Sequence, residues 1–112
     1  MCLFCKMVKR EVPAKVLFED EDLLAFHDIN PGAPTHVLVI PKRHISSLAV
    51  VEPGDVEVLG KLVASARRVA EATGIAAGGF RTVFNSGADA CQTVHHIHMH
   101  VLGGRQMTWP PG

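Results

Sequence analysis

At 112 residues, 47% of them apolar and 20% charged, the chain is long enough for one packed domain and too short for two, which excludes a disordered polypeptide. Lys and Arg number 11, as do Asp and Glu, so neither the basic footprint of a nucleic-acid binder nor a polybasic membrane patch is present. No run approaches the roughly 18 apolar residues of a membrane span, and Lys6, Lys9 and Arg10 interrupt any secretion signal, so a soluble cytoplasmic domain over residues 1–112 is expected.

In chain order, a short helix is expected over residues 2–10. Val16-Leu17-Phe18-Glu19 and Leu23-Leu24-Ala25-Phe26-His27 then flank the acidic turn Asp20-Glu21-Asp22 and read as a β-hairpin. Asn30-Pro31-Gly32-Ala33-Pro34 breaks the chain before a strand over His36–Ile40 that Pro41 stops. Residues 55–73 form the one clear helix: Val56, Leu59, Val63, Ala66 and Ala70 recur at steps of three and four, and Gly74 stands where a C-terminal cap belongs. Residues 80–85 and 94–102 read as two further strands around a loop of small residues. About five strands with one long helix argue an α+β fold built on an antiparallel sheet.

The chemistry sits in the last strand. Seven histidines are present, four of them between positions 95 and 100. His96, His98 and His100 alternate with Ile97, Met99 and Val101, which on a strand puts three imidazoles on one face and the apolar residues against the core. His95 has the apolar parity and is expected to face the core or the metal end. One metal held by all three is excluded by reach: the outer pair is ~13 Å apart along a strand, whereas Zn–N bonds are ~2.1 Å. A nucleophile flanked by groups that hold and polarise the substrate is the better use, and the middle residue, His98, is its natural seat. The preceding loop, from Asn85 to Thr93, offers backbone N–H groups to an anion. Cys2 and Cys5 form a CxxC, which in a reducing compartment reads as a redox pair or as half a zinc site.

His96-Ile97-His98-Met99-His100-Val101-Leu102 matches the motif of the histidine triad (HIT) superfamily. Phe26-His27-Asp28-Ile29, Pro34-Thr35-His36, Val39-Ile40-Pro41-Lys42-Arg43-His44-Ile45-Ser46 and the ending Gly103-Gly104-Arg105-Gln106-Met107 with Trp109-Pro110-Pro111-Gly112 resemble its nucleotide-binding (HINT) branch. The resemblance runs from about residue 3 to the end. It implies a HIT-like, dimerising fold and a purine nucleoside phosphoramidase, which cleaves the P–N bond of adenosine or guanosine 5′-phosphoramidates to the nucleoside monophosphate and an amine. His98 would attack phosphorus, with His100, His96 and His36 around it and no catalytic cofactor.

The same resemblance makes Asp28 the ribose acceptor, with Phe26, His27, Ile29 and less directly Phe18 around the base. Asn85, Cys91, Gln92 and Thr93 would form the phosphate loop, where Cys91 replaces a common Gly and is expected to crowd the site. The tail 103–112 would bring Trp109 to the partner's site in a homodimer. Cys2, Cys5, His44 and His96 match a Cys₂His₂ set suited to structural zinc. The rival readings are a nucleotide-binding adaptor with negligible turnover, a dinucleoside polyphosphate hydrolase, and a zinc-storage protein.

Overall fold

The computed structural model describes residues 2–112. Helix α1 (Leu3–Val8) is followed by strands β1 (Val16–Glu19), β2 (Leu23–His27) and β3 (Thr35–Pro41), then by two 3₁₀ turns and helix α2 (Val56–Thr73), and finally by β4 (Phe80–Val83) and β5 (Met99–Gly103). The strands form one antiparallel sheet in the order β1-β2-β3-β5-β4. The Asp20 carboxylate accepts from the backbone N–H groups of Asp22 and Leu23, both at 2.9 Å, which closes the first hairpin as an Asx turn.

Period-two alternation splits the buried residues of the central strands between two faces. Leu23, Ala25, Val37, Val39, Met99 and Val101 pack with Leu62, Ala66, Val69 and Ala70 of α2. Leu24, Phe26, Leu38 and Ile40 point the other way and pack with Phe4 of α1. His36 and His100 share that second parity, so the histidines lie on the face away from the long helix.

Three details differ from the sequence reading. On α2 the docked residues are Leu62, Ser65, Ala66, Val69 and Ala70, while Val56 and Val63 are 63% and 58% exposed. The helix carries two adjacent apolar stripes, and spacing alone does not say which one meets the sheet. Strand β4 ends at Val83 rather than at 85. Strand β5 begins at Met99, and residues 94–98 are irregular. That segment is tied down by the Ile97 N–H, which donates to the Ile45 carbonyl at 2.6 Å, and the bend lets His96 reach the chain's N-terminus. Gly103 permits a close approach: a Cβ there would meet the Ile75 side chain at 2.6 Å, so the segment leaving α2 presses directly on β5.

Candidate functional site

Two groups of histidines sit end to end beneath α1. In the first, His96 is fully buried. Its Nε2–H donates to the Pro41 carbonyl at 2.8 Å, so in the neutral ring Nδ1 is a lone pair. That Nδ1 lies 3.4 Å from Cys2 Sγ, 3.5 Å from Cys5 Sγ and 3.2 Å from His44 Nδ1. His44 Nδ1 stands 3.6 and 3.2 Å from the same two sulfurs. A tetrahedron with Zn–N of ~2.1 Å and Zn–S of ~2.3 Å has edges of about 3.3–3.8 Å, so these four atoms already have the spacing of a Cys₂His₂ zinc site.

The electrostatics of the four residues agree with that fit. Burial, and then the Cys2 thiol beside it, push the Cys5 thiol up from its ordinary value, with the Lys9 charge opposing. Burial likewise pushes the His96 imidazolium down, against the opposing Pro41 carbonyl bond. A dication would satisfy both groups, and Pro41 supplies the outer hydrogen bond that orients a ligating imidazole. Cys2, Cys5, His44 and His96 are thus built to hold a structural zinc. His95 is exposed, not turned to the core or the metal end: the irregular backbone of 94–98 breaks the strand parity on which that expectation rested.

The second group is the triad. His98 donates its Nδ1–H to the His96 carbonyl at 2.7 Å, which leaves Nε2 as a lone pair on a ring lining the cleft. His36 and His100 are diagonal neighbours on β3 and β5, since His36 pairs with Leu102 and Leu38 with His100. The Gly32 N–H donates to His36 Nδ1 at 2.9 Å. The neutral His36 therefore carries its proton on Nε2 and donates it to His100 Nδ1 at 2.8 Å. His100 in turn carries its proton on Nε2, a buried atom without a partner among the described residues.

Asp28, His36 and His100 are also spaced closely enough for a metal. The Gly32 donor argues against one: binding through His36 Nε2 while Nδ1 accepts that N–H would require an imidazolate. Burial is the main cause that pushes His100 down to about 4, with the His98 and His36 charges adding to it. Burial also pushes His36 down, opposed by Asp28. Both are neutral at pH 7.

A cleft of about 240 Å³ opens over the triad, just below the ~300–1,000 Å³ of typical ligand pockets. Phe26, His27, Asp28, Ile29, Thr93, His98 and His100 line it. The Asp28 carboxylate accepts from the Asn30 N–H at 2.9 Å and lies 3.4 Å from His36 Nε2, at the edge of the cleft. Leu3, Phe4 and Met7 of α1 form the opposite wall. They were missed from sequence, where the CxxC drew notice and the apolar Leu3, Phe4 and Met7 of the same helix did not.

Several expected residues lie elsewhere. Phe18 belongs to the α2 face, with the Arg68 guanidinium 3.8 Å over its ring. Gln92 is buried and spent on backbone groups: its Oε1 accepts from Gly87 N–H at 2.9 Å, and its Nε2 donates to the Ser46 and Val94 carbonyls at 2.7 and 3.2 Å. It shapes the loop and has no side-chain donor left for an anion. The Cys91 N–H donates to the Ala88 carbonyl at 3.0 Å and the side chain is exposed, so Cys91 does not crowd the cleft. Its φ of +62° is the left-handed conformation that explains why glycine suits this position. Asn85 and Trp109 share a separate surface depression with Arg81 and Pro111, and Trp109 is 81% exposed.

A short antiparallel sheet with a triad of histidines at its centre defines a HIT-type domain, and the HIT domain family matches residues 9–107. The chain belongs to the HIT family, in its HINT-like branch. It is 51% identical to the 14 kDa zinc-binding protein of Zea mays, over 98% of this chain and 87% of that one. It is 46% identical to the adenylylsulfatase HINT1 of Arabidopsis thaliana, over 98% of this chain and 76% of the relative. Among solved structures, a HIT family hydrolase from Legionella pneumophila superposes with a TM-score of 0.97 at 52% identity, covering 100% of both chains.

Proposed function

We propose that the protein is a cytoplasmic purine nucleoside phosphoramidase. The observation that carries this reading is the fixed tautomer of His98, whose Nε2 lone pair faces a cleft with a carboxylate at one side and apolar residues at the other. Such a cleft suits a nucleoside 5′-phosphoryl group: Phe26 and Ile29 beside the base, Asp28 at the ribose hydroxyls, and Thr93 with the backbone of the 85–93 loop at the phosphate.

His98 Nε2 attacks the α-phosphorus as the P–N bond breaks, forming a nucleotidyl-histidine. The anionic substrate raises the proton affinity of His100 from its low resting value. As an imidazolium, which forms by protonation of Nδ1 and gives up the bond from His36 Nε2–H, His100 gives its Nε2 proton to the departing amine, and it takes a proton back on Nε2 from the water that then cleaves the intermediate. The main chain of His96 holds the His98 ring, and His36 orients His100 in its resting neutral state. The chain supplies these steps without a catalytic cofactor, and zinc at the Cys₂His₂ tetrad serves structure.

The reading extends to a homodimer of the 1–112 domain with no nucleic-acid or membrane partner. Val56, Val63, Phe80 and Trp109 are exposed apolar residues of the kind a second copy covers, and Asn85 and Trp109 would join the cleft across that interface. The first test is turnover of adenosine 5′-phosphoramidate by wild type and His98→Ala. Release of adenosine monophosphate that disappears in the mutant is expected. Binding without turnover in wild type would instead favour the adaptor.

The name of the Arabidopsis relative favours a second leaving group, sulfate from adenylyl sulfate. Sulfate needs no proton to depart and an amine does, so the two substrates are separated by their dependence on His100.

A further inference from the structure

Helix α1 has six residues, too few for a helix to persist alone in water. Among the described residues, the backbone hydrogen bonds of the 2–11 segment close within the segment itself. Side chains alone dock it: the Cys2 and Cys5 sulfurs against His44 and His96, an exposed Arg10–Glu19 ion pair, and Phe4, buried among Leu24, Phe26, Leu38 and Ile40, with Met7 and Val8 half-buried against the same cluster.

The docked helix meets the triad at two points. The Phe4 ring stands edge-on to His98 at 5.1 Å, to Phe26 at 5.5 Å and to His96 at 6.0 Å between centroids, and with Leu3 and Met7 it walls the cleft. His96 presents its ring to the two sulfurs while its carbonyl holds the Nδ1–H of His98. One residue therefore belongs to both the metal tetrad and the support of the nucleophile.

We propose that metal occupancy of the Cys2–Cys5–His44–His96 tetrad latches α1 over the cleft, so that metal binding and nucleotide binding strengthen one another. The latch rests on reading the cleft as a nucleotide site. Linkage makes the coupling reciprocal: if the metal tightens the nucleotide by some factor, the nucleotide tightens the metal by the same factor.

The test uses the full chain, with Zn²⁺ and AMP as probes. Calorimetry should give an AMP affinity on the order of 10-fold weaker after chelation, within the 5–150-fold range of typical couplings, and competition with a chromophoric chelator should give the same factor for Zn²⁺ with and without AMP. Equal AMP affinities in the two folded states overturn the latch.

A second arm needs no nucleotide. Trypsin cleavage after Lys6, Lys9 and Arg10 should accelerate on metal removal while the rest of the chain stays protected, and unchanged rates overturn the proposal. If this arm succeeds while AMP binds neither form, the nucleotide reading fails and the docking of α1 by metal stands. Should the metal-free chain unfold as a whole, Phe4→Ala replaces it: weaker AMP and weaker Zn²⁺ binding in a folded protein are expected, and an unchanged Zn²⁺ affinity overturns the latch.

Discussion

The two faces of the sheet are covered by helices of different kinds. On one, the 18-residue α2 buries Leu62, Val69 and Ala70 against Val37, Val39 and Val101, with Lys61–Asp22 and Arg68–Asp20 ion pairs only at the exposed rim. On the other, the six-residue α1 sets Phe4 among Leu24, Phe26, Leu38 and Ile40 and against the rings of His96 and His98. A long amphipathic helix brings enough buried surface to dock itself; a short one with a single fully buried apolar anchor needs further side-chain ties. The face with surplus stability is plain, and the face with little to spare carries the chemistry.

The sharpest way to break this division is His98→Ala. Removing the nucleophile should lower phosphoramidate turnover at least about 1,000-fold while AMP affinity and the urea midpoint change little, which paired calorimetry and denaturation check. His100→Ala should cost ~100-fold or more with an amine leaving group and under ~10-fold with sulfate, as steady-state rates on the two substrates will show. An equal loss on both would remove His100 from proton delivery.

The plain face is tested by Leu62→Ala, which empties a fully buried site. A loss of about 2–5 kcal/mol in urea unfolding is expected, with kcat unchanged at temperatures where the variant is folded.

Acid probes the polar face. His100 titrates at about 4 in the fold against ~6.5 unfolded, so between those values the unfolded chain holds more protons. Stability contributed by the neutral ring is complete above 6.5, falls as the pH drops through this window and levels off below 4. Partial exposure of the ring reduces the effect to about 1–2 kcal/mol. The difference in unfolding free energy between wild type and His100→Asn, followed from pH 7 to 4, measures it.

The smallest change is Cys91→Gly. It relieves the left-handed strain at φ +62° and should stabilise by at most about 1 kcal/mol, because added freedom in the unfolded chain offsets part of the gain. Thermal unfolding reads it.

How much of this was legible in the sequence follows the same division. The hairpin, β3 and α2 were readable because alternation and 3.6-residue spacing are local properties of the chain. The stripe of α2 that docks was not, since Val56-Val63 and Leu62-Val69 are equivalent as patterns until the sheet chooses between them. The tetrad of Cys2, Cys5, His44 and His96 was found through family likeness, because no spacing rule joins residues 2 and 96. The strand assigned to 94–98 failed for a related reason: apolar alternation is present there, but His96 is drawn to the N-terminus and the pairing partner is one carbonyl of Ile45. Gln92 was misread because its residue type suggests a donor while its burial shows both amide hydrogens already committed.

The bond from the Gly32 amide to His36 Nδ1 gives the histidine pair a direction. The backbone N–H donates to His36 and His36 donates to His100, and the first donor cannot surrender its proton at any ordinary pH. The wire is closed at the Gly32 end and open at His100 Nε2. A proton exchanged at the triad must therefore enter and leave by the cleft mouth, so solvent exchange at His100 should slow whenever a ligand fills it.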